Sequence, residues 1–306
     1  MKKKILAIQG SSLNKINVKT DTTLMLALEG QRRGYQVFYF NPSQISFVNG
    51  IVVAECKHIE LFEKKNKFYK ILKNISFNLN KAKIILIRNE PPFNQQYINT
   101  TFFLEHISKK VKVINNPSAV RNVSEKLFSM KLMKYMPPTL ITENLIEIKK
   151  FIKKNKKIII KPVNSYSGND VILIRSINIK IIKKYLKKYN HVIFQKFLPK
   201  VSSGDKRVFI LNGKIKGCIS RVPKKGSILS NLSKGAIAKN TNLSNKESEI
   251  SNQVAKILKK NNIYFAGIDF VQGKLIGDIN VTSPTGLMSF KNITGIDLAK
   301  YFWDNL

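Results

Sequence analysis

The segment from Phe265 to Val281 constrains this chain most. Phe265-Ala266-Gly267-Ile268-Asp269-Phe270-Val271 is followed by Gln272-Gly273, then by Lys274-Leu275-Ile276-Gly277-Asp278-Ile279-Asn280-Val281. Two apolar runs around a two-residue glycine turn predict a β-hairpin. Such a turn sets Asp269 opposite Ile276. Side chains alternate along a strand, so Asp269, Asp278 and Asn280 share one face. Ala266, Ile268, Phe270, Leu275, Ile279 and Val281 share the other, which is apolar throughout. In this register Asp269 and Asp278 are diagonal neighbours, with Cβ atoms about 7 Å apart. That separation suits oxygen ligands around a divalent cation. Taken alone, two acids and an amide favour a plainer reading, a hairpin with a solvated polar face.

The rest of the chain supplies a frame for it. Strand patterns at Lys4–Gln9, Tyr35–Phe40, Lys83–Ile87 and Val111–Ile114 alternate with helical patterns at Asp21–Arg33 and Gln96–Lys110. Strand-helix-strand order predicts a parallel sheet covered by helices. The pattern changes near Asn115–Glu125. Strands are expected at Lys157–Lys161, Asp170–Ile174 and His191–Phe197, with helices at Leu145–Lys154 and Ile179–Lys188. Arg207–Leu211 and Lys214–Ser220 flank Asn212-Gly213, a strong hairpin signal. A polar loop from Pro223 to about Asn245 leads to a helix at Glu247–Lys260 and then to the hairpin. No internal repeat is present.

Composition excludes several classes. The 306 residues are 43% hydrophobic, which suits a globular chain. No apolar run approaches the roughly 18 residues of a membrane helix. Met1 to Ile8 imitates the start of a signal peptide, but the apolar part stops at Gln9, so a first strand is expected instead. Cys56 and Cys218 are far apart and His58, His106 and His191 lack metal-ligand spacing, so a reducing, cytoplasmic setting is expected, with no role for these residues. The net charge of +36 would suit a polyanion binder. Only seven of the 54 basic residues are arginine, however, and lysine is spread over most of the helical segments. No local patch interleaves arginine with aromatics, so specific nucleic-acid binding is not expected. Lysine runs such as Lys153-Lys154 and Lys156-Lys157 read as solvated helix ends.

The run Gly267-Ile268-Asp269 … Asp278-Ile279-Asn280-Val281-Thr282-Ser283-Pro284-Thr285 resembles the metal-binding signature of the prokaryotic glutathione synthetase family. Further pieces resemble that family in its order. They are Ile16 to Thr23, Gln31 to Tyr35, Ile87 to Phe93, Asn115-Asn116-Pro117 with Arg121, Glu125-Lys126-Leu127-Phe128 and Gly204-Asp205-Lys206-Arg207. The resemblance implies an α/β and α+β fold: an N-terminal Rossmann-like pre-ATP-grasp domain at 1–122, then a two-subdomain ATP-grasp fold at 123–306. That fold divides into a smaller lid-like part at 123–198 and a metal-binding part at 199–306. It also implies ligation of γ-glutamylcysteine to glycine, with ATP and Mg²⁺ (or Mn²⁺), by a homo-oligomer.

The same resemblance implies roles. Asp269, Asp278 and Asn280 would hold the metal. Lys126, Lys161, Gly168, Asn231 and Gly235 would face the nucleotide phosphates, and Gln195, Lys196, Phe197 and Leu198 would form the adenine hinge. Arg207 and Arg221 would stabilise charge at the transferring phosphoryl group or the oxyanion. Asn17, Asp21, Arg88, Ser283, Pro284 and Thr285 would hold substrate. The loop from Pro223 to Asn240 is expected to order over the site when ligands bind. The chain departs from the family at four places. Its phosphate loop Asn164-Ser165-Tyr166-Ser167-Gly168-Asn169 has one glycine, and its second metal acid is Asp278 where the family has Glu. The segment Leu229 to Gly235 lacks an arginine, and Met288-Ser289 replaces an Arg-Glu pair. A related ligase with another amine substrate, or a polyanion-binding module on a relic fold, stays open at this point.

Overall fold

The computed structural model describes residues 4–64 and 67–306. Met1–Lys3, the head of the signal-like start, lie outside it. The first part consists of β1 (Lys4–Gly10), α1 (Thr22–Arg32), β2 (Tyr35–Phe40), β3 (Ile45–Val48), β4 (Ile51–Leu61), β5 (Tyr69–Asn78), β6 (Ile84–Arg88), α2 (Gln95–Ile107), β7 (Lys112–Ile114) and α3 (Pro117–Asn122). Strands β2, β1, β6 and β7 lie parallel in that order, as the alternating pattern predicts. The order in which strands are added reverses between β1 and β6, so the carboxyl ends of these two parallel strands open onto a crevice.

The antiparallel strands β3, β4 and β5 extend this sheet past β2, and the sequence reading contains none of them. Strand β4 does alternate, but its inward residues include the weak hydrophobes Ala54 and Cys56. Strand β5 is exposed on both faces over much of its length, so it carries no period.

The second part has β8 (Thr139–Thr142), α4 (Leu145–Asn155), β9 (Ile158–Pro162), β10 (Ile172–Ile174), α5 (Ile179–Tyr189) and β11 (Val192–Lys196). Its sheet runs β10-β9-β11-β8 and is antiparallel. Helices α4 and α5 press Ile148, Ile152 and Ile182 onto it. Their lysines, among them Lys153, Lys154, Lys183, Lys184 and Lys187, are exposed, so these runs are solvated faces as expected.

The third part has β12 (Asp205–Leu211), β13 (Lys214–Val222), β14 (Ile237–Asn240), α6 (Asn245–Lys260), β15 (Phe265–Val271), β16 (Lys274–Asn280), α7 (Leu287–Thr294) and α8 (Leu298–Asp304). The sheet runs β14-β13-β12-β15-β16. Strand β14 falls in what the sequence suggests is a loop, and α7 and α8 were not anticipated. These two helices pack back on α1, where Trp303 Nε1 donates to the carbonyl of Leu26 at 2.9 Å. One apolar core therefore joins Leu6, Ile8 and Leu26 of the first part to Phe209, Phe265, Leu287 and Trp303 of the third. The apolar face of the C-terminal hairpin packs with α6, and all six of its predicted core residues are buried together.

Two β-bulges decide which side chains reach the cleft. At the hairpin, Val271 pairs with Lys274 and Phe270 with Leu275, so the two-residue turn is as expected. The register then shifts by two, so that Ile268 meets Ile279 and Gly267 meets Asn280. Asp269 is thus not set opposite Ile276. The shift brings Asp278 level with Asp269, and a two-residue shift keeps both on one face. Gly277 allows it: its φ is +86°, and a Cβ there would lie 2.6 Å from Met136 Cε. In the β12–β13 hairpin, the register shifts by one between Phe209 and Ile210, so Asp205 faces Arg221 and Arg207 faces Ile219. Without that shift Arg221 would point to the opposite face.

Candidate functional site

The three parts surround one cleft of about 330 Å³. One face of the third sheet forms its floor. Arg207 on β12 and Asp269 on β15 are cross-strand partners. Asp269 Oδ2 accepts from Arg207 Nη2 at 2.8 Å and lies 3.0 Å from Arg221 Nη2, while Arg207 Nε also bonds Oδ1. Arg221 Nε in turn donates to Asp205 Oδ1 at 2.7 Å. All four side chains are buried, so they form a closed cluster of two guanidiniums and two carboxylates. The polar face of the hairpin is therefore the floor of a cleft and not the solvated face that its composition first suggested. Burial alone would raise the Asp269 carboxyl, but the two arginines more than offset it and hold it down to about 2. Burial pushes Asp205 up to about 6, against the pull of Arg221.

The opposite wall comes from the second sheet. Lys161 stands next to last in β9 and donates to the carbonyl of Ile276 at 2.8 Å, with Asp278 Oδ2 at 3.5 Å. Lys126 Nζ donates to the carbonyl of Pro162 at 3.1 Å and also bonds Ser165. Burial lowers the Lys126 pKa, Asp278 acting against it. Gln195 is held by Thr139 Oγ1 at 2.8 Å. In the hinge, the amides of Lys196 and Phe197 are taken by the carbonyls of Pro138 and Lys157 at 2.9 and 3.0 Å. Across the cleft mouth the segment 228–233 approaches the loop 164–169. A methyl group on Gly168 would lie 2.7 Å from Asn231 Oδ1, and Lys234 donates to Asn169 at 2.8 Å.

Of the residues named from sequence, Lys126, Lys161, Gly168, Gln195, Lys196, Phe197, Leu198, Arg207, Arg221 and Asn231 line this cleft. Asp269, Asp278, Asn280, Ser283 and Thr285 line it too. Gly235, Pro284, Asn17, Asp21 and Arg88 do not. Asp21 caps α1 through Leu24 N at 2.7 Å. Arg88 is buried, with Nε on Thr23 Oγ1 at 3.0 Å and Nη2 on the carbonyl of Pro284 at 2.9 Å, and so fastens β6 to the segment after the hairpin. Asn17 is exposed and accepts from Lys19 N at 3.0 Å.

Asp205 and Glu125 fall within two of the resembling pieces without a role of their own, and both line the cleft. Asp205 stands two residues before Arg207, hence on its face, and that parity was the available signal. Glu125 precedes Lys126 and has no spacing signal of its own.

The donor set suits a hard cation. Asn280 Nδ2 is spent on the carbonyl of Gly267 at 3.2 Å, which leaves its oxygen for ligation beside Asp278 and Asp269. Among the described residues there is no group of three His, Cys, Asp or Glu side chains able to hold a metal. Two carboxylates and an amide therefore need ligand oxygens to complete a shell. Charge in the cleft is balanced despite the chain's excess of lysine. Lys126, Lys161, Lys196, Arg207 and Arg221 face Glu90, Glu125, Asp205, Asp269 and Asp278 across the lining. A bare polyanion gains little there.

A family model described as the ATP-grasp domain of prokaryotic glutathione synthetase matches residues 125–295, and one described as its N-terminal domain matches residues 5–121. The chain belongs to the prokaryotic glutathione synthetase family. The glutathione synthetase of Bradyrhizobium diazoefficiens is 34% identical over 304 residues, which cover 98% of this chain and 96% of that protein. Among solved structures, a D-cycloserine synthetase matches with a TM-score of 0.69 at 13% identity, covering 98% of this chain and 99% of that one. D-alanyl-alanine synthetase A from Vibrio cholerae matches with a TM-score of 0.63 at 15% identity, over 99% and 97% of the two chains. At such identity these two speak for the fold alone. The family makes this chain an ATP-dependent ligase, with an N-terminal domain followed by an ATP-grasp domain. No helix among the described residues is long and apolar enough to cross a membrane. The departure from the family at Met288-Ser289 lies outside the cleft lining: Ser289 is buried in α7 and Met288 packs on the apolar core.

Proposed function

We propose that this chain joins γ-glutamylcysteine to glycine through an acyl phosphate, converting ATP to ADP and phosphate. One observation carries the residue assignments. Asp269, Asp278 and Asn280 converge on the same cleft as two buried lysines and two buried arginines. A carboxylate must be activated before an amine displaces oxygen from it. Its attack on the γ-phosphorus brings two anions together, and the cleft supplies cations on both sides. Lys126 and Lys161 face the triphosphate. Arg207 and Arg221 face the transferring phosphoryl group and then the oxyanion that forms when glycine attacks. A divalent cation, taken here as Mg²⁺, would neutralise phosphate charge when held by the hairpin residues. Asp269 takes one arginine donor on Oδ1 and two on Oδ2, which leaves an acceptor site on Oδ1 for a metal beside the arginines.

Ser283 and Thr285 stand beside the hairpin end, on the substrate side. The segment Ile228–Ser233 would exclude water from the acyl phosphate. The division of the ATP-grasp part near residue 198, a homo-oligomeric assembly and a cytoplasmic setting belong to the same reading.

The deciding assay follows ADP release from ATP with γ-glutamylcysteine, with and without glycine, and identifies the product by mass. Turnover independent of glycine, or seen only with another amine, overturns the reading. Lys161→Ala is expected to weaken binding of a non-hydrolysable ATP analogue by about tenfold or more, the worth of one charge-assisted hydrogen bond. Peptide affinity should hardly move. Equal losses of both in calorimetry would remove Lys161 from the phosphate site.

A further inference from the structure

Strand β16 is the edge of its sheet, so the amides on its outer side have no strand to bond. Glu125 meets them at the strand's C-terminal end. The carbonyl of Glu125 accepts from Ile279 N at 2.8 Å. Its Oε1 accepts from Val281 N at 3.0 Å, Thr282 N at 3.1 Å and Thr282 Oγ1 at 2.8 Å. Glu125 stands in for the missing strand where β16 leaves the sheet and presents Asn280, Thr282 and Ser283 to the cleft. The next residue reaches the other way. Lys126 bonds the carbonyl of Pro162 at 3.1 Å and Ser165, at the root of the phosphate loop. Two consecutive residues thus tie the metal-side strand to the phosphate side of the cleft.

We propose that Glu125 is a positioning residue for the ligation, one that fixes the end of β16 relative to Lys126 as an acceptor of the right reach and not as a charge. Three donors converge on a single oxygen, Oε1. A carboxamide oxygen in the same place accepts the same three donors. A carboxylate one methylene shorter keeps the charge and loses the reach. The cleft lining already carries as many carboxylates as cations, so losing one negative charge there does not weaken anion binding.

This inference rests on the ligase reading, and its test separates the two. Glu125→Gln, Glu125→Asp and Glu125→Ala are compared with the parent for kcat, for the metal concentration giving half-maximal rate, and for thermal stabilisation by Mg²⁺ with a non-hydrolysable ATP analogue. Alanine and aspartate are expected to lose about tenfold or more in kcat, to need more metal and to lose most of the stabilisation, since each forfeits the hydrogen bonds at Oε1. Glutamine is expected to rescue all three readouts to near the parent's values. Aspartate outperforming glutamine overturns the proposal, because charge would then be what acts. Glutamine falling as far as aspartate, or all three variants matching the parent, overturns it too. If the alanine variant does not fold, the glutamine–aspartate order alone decides. A parent that is stabilised by Mg²⁺ and nucleotide yet does not ligate sinks the ligase reading, while the order of stabilisation still judges Glu125.

Discussion

Asp269→Asn is expected to lower the ligation rate by about two to three orders of magnitude, the usual loss when one electrostatic partner of a transition state is removed. Three consequences converge on the one side chain. The cation loses a charged ligand. Arg207 and Arg221 lose the carboxylate that holds both of them. The cluster of Asp205, Arg207, Arg221 and Asp269 passes from balanced to a net buried positive charge. Breaking a buried ion pair by removing one partner typically costs about 3–5 kcal/mol. Asparagine keeps an acceptor oxygen, so its stability loss should sit at the lower end of that range and Asp269→Ala at the upper end. Single-turnover ligation and thermal unfolding, measured on the same preparations, check both effects. Asparagine within tenfold of the parent rate would mean that Asp269 is only a structural partner of the arginines.

The hairpin shows how far sequence carries and where it stops. Its two faces were legible, because alternation over seventeen residues leaves Ala266, Ile268, Phe270, Leu275, Ile279 and Val281 no other common side. The parallel strands of the first sheet were legible for a related reason. Each is a short apolar run bounded by a glycine or a capped helix, as at Asp21 before α1. What composition concealed is the environment of the polar face. Burial of Asp269 depends on Arg207 and Arg221, which arrive from strands some 50 to 60 residues earlier in the chain. The side that Arg221 takes is set by a bulge that no turn chemistry announces. Gly277 did give a signal, since glycine inside a strand often marks a bulge. Other contacts had none. The resemblance places Arg88 on the substrate side, and in the structure it joins β6 to Pro284 and Thr23. An arginine bonding a backbone carbonyl 196 positions away leaves no periodic trace.

Asn115→Ala is expected to be the most destabilising single change outside the ion cluster. Asn115 follows β7 in the first sheet and is buried against the open end of the C-terminal hairpin. Its Nδ2 donates to the carbonyls of Phe265 and Val281, both at 2.7 Å. Its Oδ1 accepts from Tyr264 N at 3.0 Å and Phe265 N at 2.8 Å. A carboxamide has two donors and two acceptor sites, and all four are used. Alanine would leave four backbone groups without partners between two sheets, each costing about 1–3 kcal/mol if no water reaches it. Such losses do not add fully, so a total on the order of 3–5 kcal/mol is expected. That lowers the unfolding midpoint by roughly 5–8 °C in a chain of this size. Asn115→Asp keeps the shape but turns two donors into acceptors facing two carbonyls, and buries a charge. It should be no better than alanine. The same hairpin end carries Asn280 and Ser283 into the cleft, so kcat should fall along with stability, even at temperatures where the variant is folded. Calorimetric unfolding combined with ligation rates well below the midpoint tests this. A midpoint within about 2 °C of the parent, close to the shift from 1 kcal/mol, would mean that packing alone joins the N-terminal sheet to the hairpin.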